Sequence, residues 1–188
     1  MKSYFQSLNI LSEEELHLLE GITSSKQIKK GSFLIQEGEV CKEVVFIRSG
    51  ILRSFFTKPN GEEVTYCLTF GNNLMTALSS LIEEKPTHEN IQALTDLELE
   101  VIKKSDLNKL VENNFRWMKV VKILVEQQYI ELENRMLDLQ RLDAKERYEK
   151  LINEREELVR YIPLKHLASF LNITPRHLSR LRADFQNV

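Results

Sequence analysis

Every glycine in this chain of 188 residues lies at or before position 71, and neither glycine nor proline occurs between Pro86 and Pro163. Glycine and proline are the strongest local breakers of regular structure. A chain divided this way has a turn-rich first part and a long, largely helical second part. After Gly21, the residues Gly31, Gly38, Gly50, Gly61 and Gly71 separate short runs of β-branched and aromatic residues. These runs cover 32–36, 43–48, 51–56 and 63–69, and a further one follows at 97–102. Strands punctuated by glycine at intervals of 7 to 12 residues read as an all-β sandwich or barrel. Pro59-Asn60-Gly61 reads as a hairpin turn. Residues 74–83 read as a short helical insert among the strands. Ahead of them, Ser12 and Glu15 form a capping box for a helix over 12–21, with Leu16 and Leu19 on its apolar face and Gly21 at its end.

The uninterrupted second part predicts a long helix over 105–141, started by Ser105-Asp106, with a break near Asn113-Asn114. Met118, Val121, Val125, Gln128, Leu132, Arg135, Leu139 and Leu142 follow a 3-4 alternation, a heptad seam with two polar interruptions. A second stripe, Trp117, Val120, Ile123, Leu124, Ile130 and Leu137, covers another face. One helix with two apolar faces needs two surfaces to bury them. The strands supply one, and the same helix of a second copy is the simplest source of the other. The alternative is a helix packed wholly within one chain. Asp143 then caps a new amphipathic helix whose Ala144, Tyr148, Leu151 and Ile152 face inward, which puts a hinge near Leu142-Asp143.

The stretch from Pro163 to Arg182 reads as two helices and a tight turn, a helix-turn-helix. Pro163 suits a first helical turn, where its missing N–H has no partner to lose. Leu164, Leu167, Ala168 and Leu171 recur at helical spacing, and Ala168 is small enough for a second helix to approach closely. Asn172 tolerates the left-handed conformation that stops a helix, and Ile173 plugs the gap between the helices. Thr174-Pro175 is a hydroxyl N-cap followed by proline at the first helical position. Leu178, Leu181 and Phe185 form the buried stripe of the second helix, and no acid appears on it before Asp184. Its basic face suits a DNA major groove, where arginine reads guanine O6 and N7. Arg176 and Arg180, one turn apart, are the candidate base contacts, and Ser179 suits a base or a phosphate. Thr174 belongs at a phosphate on the helix N-terminus. Lys165, His177 and Arg182 are further phosphate candidates.

Charge is uneven. Residues 160–188 hold five bases and one acid, hence +4, which leaves −6 for the remainder of a chain whose net charge is −2. An acidic body with a basic end suits a protein that touches nucleic acid at one end. Cys41 and Cys67 form no CxxC and no Cys/His cluster, and both read as inert thiols. His17 and His88 are isolated, so no metal site and no cofactor is expected. No Ser/His/Asp set or phosphate loop is present, and the chain reads as a non-enzyme. The N-terminus has no apolar run after its first lysine and no stretch approaches 18 apolar residues, so a cytoplasmic protein outside the membrane is expected.

The ordered set Lys30-Gly31, Gln36-Glu37-Gly38, Val45-Phe46-Ile47, Ser49-Gly50 and Phe70-Gly71 resembles the cyclic-nucleotide-binding β-roll. With the long helix and the terminal helix-turn-helix behind it, the chain resembles the CRP/FNR family of bacterial transcription regulators over essentially its full length. The resemblance implies an α+β fold. Its parts are a jelly-roll effector domain over 1–112, a dimerisation helix over 113–142, and a small helix-turn-helix domain over 143–188 that lacks a full wing. It implies double-stranded DNA with a pseudo-palindromic site, a second copy of the chain and RNA polymerase as partners. Met118, Val121, Val125, Gln128, Leu132, Arg135 and Leu139 would then line the dimer interface. An effector pocket would involve Gly71, Asn72, Asn73, Thr87 and His88. Cyclic-nucleotide binders of this type carry a glutamate after Phe-Gly for the ribose and an arginine about a dozen residues later for the phosphate. Here Asn72-Asn73 and Pro86-Thr87-His88-Glu89-Asn90 stand instead, with no arginine. A buried phosphate without a cationic partner is costly, so cyclic AMP is not the expected effector, and the effector is left open. A small-molecule sensor that acts through a protein partner rather than DNA is the alternative reading.

Overall fold

The glycine-punctuated half forms two four-stranded antiparallel sheets. The computed structural model describes residues 1–186, except the side chains of Glu157, Leu158 and Gln186. Its strands are β1 (Ser24–Ile28), β2 (Phe33–Ile35), β3 (Glu43–Ser49), β4 (Ile51–Thr57), β5 (Glu63–Phe70), β6 (Asn73–Met75), β7 (Asn90–Ala93) and β8 (Leu97–Lys103). One sheet runs β1-β8-β3-β6 and the other β2-β7-β4-β5. Alternate side chains of facing strands meet between them, with Val45, Ile47, Leu52, Ile91, Leu97 and Leu99 at the centre of the core.

Five of the strands lie where the β-rich runs predict them. The other three, β1, β6 and β7, carry little of the pattern that marks a strand. Four of the five residues of β1 are exposed, and β6 and β7 are three and four residues long. The expected helical insert over 74–83 is corrected: only α3 (Leu78–Glu83) is helical, and Leu74 and Met75 extend β6 along the free side of β3. At the β3–β4 corner Gly50 has φ +104°, and a Cβ there would stand 2.4 Å from Leu97 Cδ2 and 2.6 Å from the Asp96 carbonyl. Only glycine passes this corner without displacing the start of β8.

Helix α1 (Lys2–Ser7), unforeseen in the sequence, packs with α2 (Glu13–Ile22). The capping box of α2 forms as expected: the Glu15 amide donates to Ser12 Oγ at 3.3 Å and the Ser12 amide to Glu15 Oε2 at 2.7 Å. The helix continues through Gly21, and the Thr23 amide closes it on the Glu20 carbonyl. The long helical region splits into α4 (Lys104–Val111) and α5 (Phe115–Arg141). Asn113 adopts φ +58°, and the Asn114 side chain accepts from the amides of Arg116 and Trp117, so the two asparagines end one helix and start the next. Glu15 reaches across to donors on Asn114 and Arg116, which ties α2 to the start of α5. Trp117 and Val120 are buried there against Phe5, Leu16, Phe46 and Ile102.

The chain ends in α6 (Ala144–Val159), α7 (Leu164–Phe170) and α8 (Pro175–Gln186), with a non-helical residue, Arg155, inside α6. Asp143 and Glu146 cap α6 reciprocally. Tyr148, Leu151, Leu167, Leu171, Leu178 and Leu181 gather in one apolar cluster, and Ile51 of β4, Phe70 of β5 and Leu94 just after β7 belong to the same cluster. The last three helices are therefore seated on the outer face of the β2-β7-β4-β5 sheet, a contact that the sequence, read as a domain beyond a hinge, does not announce.

Candidate nucleic-acid interface and effector region

Pro163 occupies the N-cap of α7, one position ahead of the expected first turn, with φ −54° and ψ 138°. Asn172 takes the left-handed conformation (φ +55°), and the Ile173 amide turns back to the Ala168 carbonyl at 3.0 Å. This closure satisfies the last carbonyls of α7 and reverses the chain in a few residues. Thr174 then starts α8, its Oγ1 accepting from the His177 amide at 3.2 Å. Ala168, Leu178 and Leu181 are buried between the helices, with Ile173 and Phe185 partly buried beside them. The face opposite is polar. Arg176, Ser179 and Arg180 are exposed, as is Thr174 at the N-terminus, and the two arginines share a face by their spacing of four.

The remaining DNA candidates are placed differently. Lys165 is exposed on α7, whereas His177 and Arg182 are half-buried. Arg182 lines an open groove between α6 and α8 with Tyr148, Ile152 and Phe185, away from the Arg176–Arg180 face. Ser179 Oγ donates to the Pro175 carbonyl at 3.0 Å.

On α5, Met118, Val125, Gln128, Leu132 and Leu139 are exposed and Val121 is half-buried. Leu132 keeps 59 % of its surface. Tyr129, Ile130 and Met136 are also exposed beside this seam, and of these only Ile130 was expected, on the other face. Arg135 departs from the seam. Its Nη2 donates to the Phe170 carbonyl and its guanidinium lies 3.9 Å from the centre of the Phe170 ring, so it joins α5 to α7 within one chain.

The five expected effector residues serve mainly to shape two connections. Asn72 is left-handed (φ +65°) and its amide donates to the Ile47 carbonyl at 2.7 Å. Asn73 Nδ2 donates to the carbonyls of Phe70 and Gly71, both at 3.2 Å. The asparagine pair thus builds the β5–β6 turn that passes close over Arg48, whose carbonyl lies 3.3 Å from where a Gly71 Cβ would be. Thr87 is buried, bonded through its backbone to Gly38 and Glu39, and His88 is exposed. Next to them Glu89 accepts from the Tyr66 hydroxyl; burial raises its pKa above the ordinary carboxylate value. A hollow of about 250 Å³ opens beside Cys41, lined by Leu34, Ile35, Val40, Thr76 and Ala77 and by none of the five residues. The Cys41 thiol is buried there, 3.2 Å from Thr76 Oγ1, while burial raises the pKa of Cys67. Among the described residues no group of three or more His, Cys, Asp or Glu is arranged to hold a metal, and no helix is long and apolar enough to cross a membrane.

One functional-looking cluster escapes the sequence reading. Arg53 on β4 is 2 % exposed. Its Nε and Nη2 donate to Gln92 Oε1 at 3.0 and 2.7 Å, Nη2 donates to Glu63 Oε2 at 2.7 Å, and Nη1 lies 2.7 Å from His166 Nδ1 on α7. The guanidinium also covers the Phe55 ring at 3.8 Å. Burial, with Arg53 and Lys165 nearby, lowers the His166 pKa to about 4, while Glu63 acts against the shift. The one signal available was a charged residue in a strand whose other residues are uncharged. Its partner lies 113 residues away.

Comparison with known proteins now adds to this geometry. Residues 25–114 match the family model of the cyclic nucleotide-binding domain. The anaerobic regulatory protein of Bacillus subtilis is 27 % identical over a match that covers 59 % of this chain and 48 % of that protein. The chain thus spans about half the length of the curated relative it matches. The structure of FixK2 from Bradyrhizobium japonicum is similar with a TM-score of 0.78, at 18 % identity, over 88 % of this chain and 85 % of that one. A transcriptional regulator of the CRP/FNR family from Eubacterium rectale, so described on its structure, is similar with a TM-score of 0.73 at 18 % identity, over 98 % of this chain and 88 % of that one. The likeness spans roll, long helix and terminal helices together.

Proposed function

We propose that this chain, whose fold is that of the CRP/FNR regulators it resembles, is a member of that family: a homodimeric, sequence-specific DNA-binding transcription regulator and not an enzyme. The observation that carries the reading is the outer face of α8. Arg176 and Arg180 stand exposed one turn apart behind an exposed Thr174 N-cap, on a helix fixed from behind by Leu178 and Leu181. Arginine at such positions donates two hydrogen bonds to guanine O6 and N7. The unpaired amides of a helix N-terminus, with the positive end of its dipole, attract a phosphate. The exposed apolar seam of α5 supports a second copy, which would set two recognition helices about 34 Å apart on a pseudo-palindromic site. RNA polymerase is the further partner this reading calls for.

Cyclic AMP fits the roll poorly. Asn72 and Asn73 are committed to the turn, and the segment that would meet the phosphate holds Thr87, His88 and the carboxyl of Glu89 with no arginine. A cyclic phosphate placed there would face an acid rather than a cation. The sensor that acts through a protein partner has no observation in its favour.

Selection from a random-sequence DNA pool, with and without cyclic nucleotides and across a salt series, tests the reading. Enrichment of one palindromic sequence without nucleotide is the expected result, with affinity falling as salt rises. Enrichment only after a cyclic nucleotide is added would overturn the effector argument, and no enrichment under any condition would overturn the DNA reading.

A further inference from the structure

The docking of α7 on the sheet passes through a small set of polar contacts, and their chemistry restricts the protonation state they accept. Arginine offers only donors. The Arg53 Nη1 that lies 2.7 Å from His166 Nδ1 therefore requires that nitrogen to be the acceptor, and the imidazole to be neutral with its proton on Nε2. Around this pair stand Glu63 and Thr65 from β5, Gln92 from β7, and Lys165 and Ser169 from α7 itself. The Thr65 amide donates to Ser169 Oγ at 2.9 Å, so a backbone group of the sheet depends on α7 for its partner. At the far end of α7, guanidinium groups hold its carbonyls: Arg135 of α5 binds Phe170, and Arg147 of α6 binds Leu171 at 3.1 Å. The first helix of the helix-turn-helix is thus gripped by the roll at one end and by the two preceding helices at the other.

We infer that Arg53 and His166 form a proton-sensitive latch between the roll and the helix-turn-helix, closed while the imidazole is neutral and loosened when it is protonated. A second proton on His166 would replace the acceptor facing Arg53 with a donor and set two cations against each other in a site that is 2 % exposed on one side and 7 % on the other. Glu63 accepts from Arg53, and although burial opposes it, that pairing holds its carboxyl below the ordinary range. Lys165 adds a further positive charge beside the ring. Protonation therefore favours the released state. The inference rests on the DNA-binding reading only for its consequence, that the roll governs how α8 is presented.

The sign follows from linkage. A free imidazole titrates near 6.5, and the docked one is lowered to about 4. Docking is fully supported above the free value and weakens as pH falls between the two, about tenfold for each unit. From pH 7.5 to 5.0 the docking equilibrium is expected to fall by about 30-fold.

Amide-resolved hydrogen exchange on the full chain reads this directly, with rates corrected for intrinsic pH dependence. The Thr65 amide is expected to lose about 30-fold in protection over that range, while the Leu52 amide inside the same sheet holds. In His166→Gln, which keeps a neutral acceptor for Arg53, the Thr65 amide is expected to stay flat. A flat Thr65 in the unaltered chain, an equal loss in His166→Gln, or a loss shared by Leu52 would each overturn the latch. Should the variant not fold, the imidazole titration of the unaltered chain decides: His166 is expected to titrate well below the free-imidazole value near 6.5, and a midpoint at that value overturns the proposal. A chain that shows the Thr65 response yet binds no DNA would sink the DNA reading and leave the latch standing.

Discussion

Arg180 is exposed on the outer face of α8, so replacing it removes a ligand contact without disturbing a core. Arg180→Ala is expected to leave thermal stability unchanged, weaken specific DNA binding by about 1–3 kcal/mol and relax preference at one base pair of each half-site. Titration against matched and mismatched duplexes measures this, and an unaltered affinity for the specific site would remove Arg180 from the base-reading set. Gly50 presents the opposite case. Its φ of +104° and the carbonyl 2.6 Å from its missing Cβ make any side chain strained. Gly50→Ala is expected to destabilise the roll by on the order of 3 kcal/mol, seen as a lowered urea midpoint, with the binding face of α8 untouched. Both residues were legible as a kind before the fold was known: a glycine at a turn, an arginine on a basic helical face. Arg53 was not, because its meaning depends on His166, and nothing local to either residue points to the other.

At the level of elements, the turn between α7 and α8 stands on two side chains, the left-handed Asn172 and the capping Thr174. Asn172→Gly is expected to be neutral or slightly stabilising, whereas Asn172→Val costs about 1–2 kcal/mol, because a branched Cβ crowds the left-handed backbone. Thermal unfolding of the two variants separates these outcomes, and equal melting points would contradict the conformational account. Helix α5 makes a different demand. Its first turns bury Trp117 and Val120 against the roll, but Leu132, Met136 and Tyr129 remain outside. Leu132→Glu places a charge on the seam and is expected to give monomers in sedimentation. DNA affinity should fall by about 100-fold, as two linked half-sites become independent. A monomeric unaltered chain would refute the dimer before any variant is made. The heptad seam includes the exposed Met118, Val125, Gln128, Leu132 and Leu139, whereas Arg135 binds a carbonyl that α7 brings within reach, which a periodic position does not announce.

Across the whole molecule, the cluster formed by Ile51, Phe70 and Leu94 with the helices α6 to α8 makes roll and helix-turn-helix one packed body in this arrangement. The His166 site sits within that contact, and its lowered pKa becomes a stability term. The neutral imidazole favours the folded, docked chain. The contribution is complete above pH 6.5 and lost as pH falls towards 4, amounting to on the order of 2 kcal/mol after allowance for solvent. Melting temperature is expected to drop across that window more steeply in the unaltered chain than in His166→Gln. Parallel curves for the two proteins would show that another group controls the acid limb.

Glycine spacing, capping residues and helical periodicity were enough to establish a strand-rich first part, a broken long helix and a terminal helix-turn-helix with Arg176 and Arg180 outward. These features are local, set by sterics and hydrogen bonding within a few residues of one another. The short strands β1, β6 and β7 and the first helix were beyond that reach, because each is held by partners distant in the chain rather than by its own pattern. Packing decided the rest: which apolar face of α5 the roll consumes, that Asn72 and Asn73 shape a turn, and that α7 rests on the β2-β7-β4-β5 sheet with a neutral histidine against a buried arginine. Those outcomes depend on burial and on contacts between residues as much as 113 positions apart, and they take definite form only when the folded chain removes both groups from water.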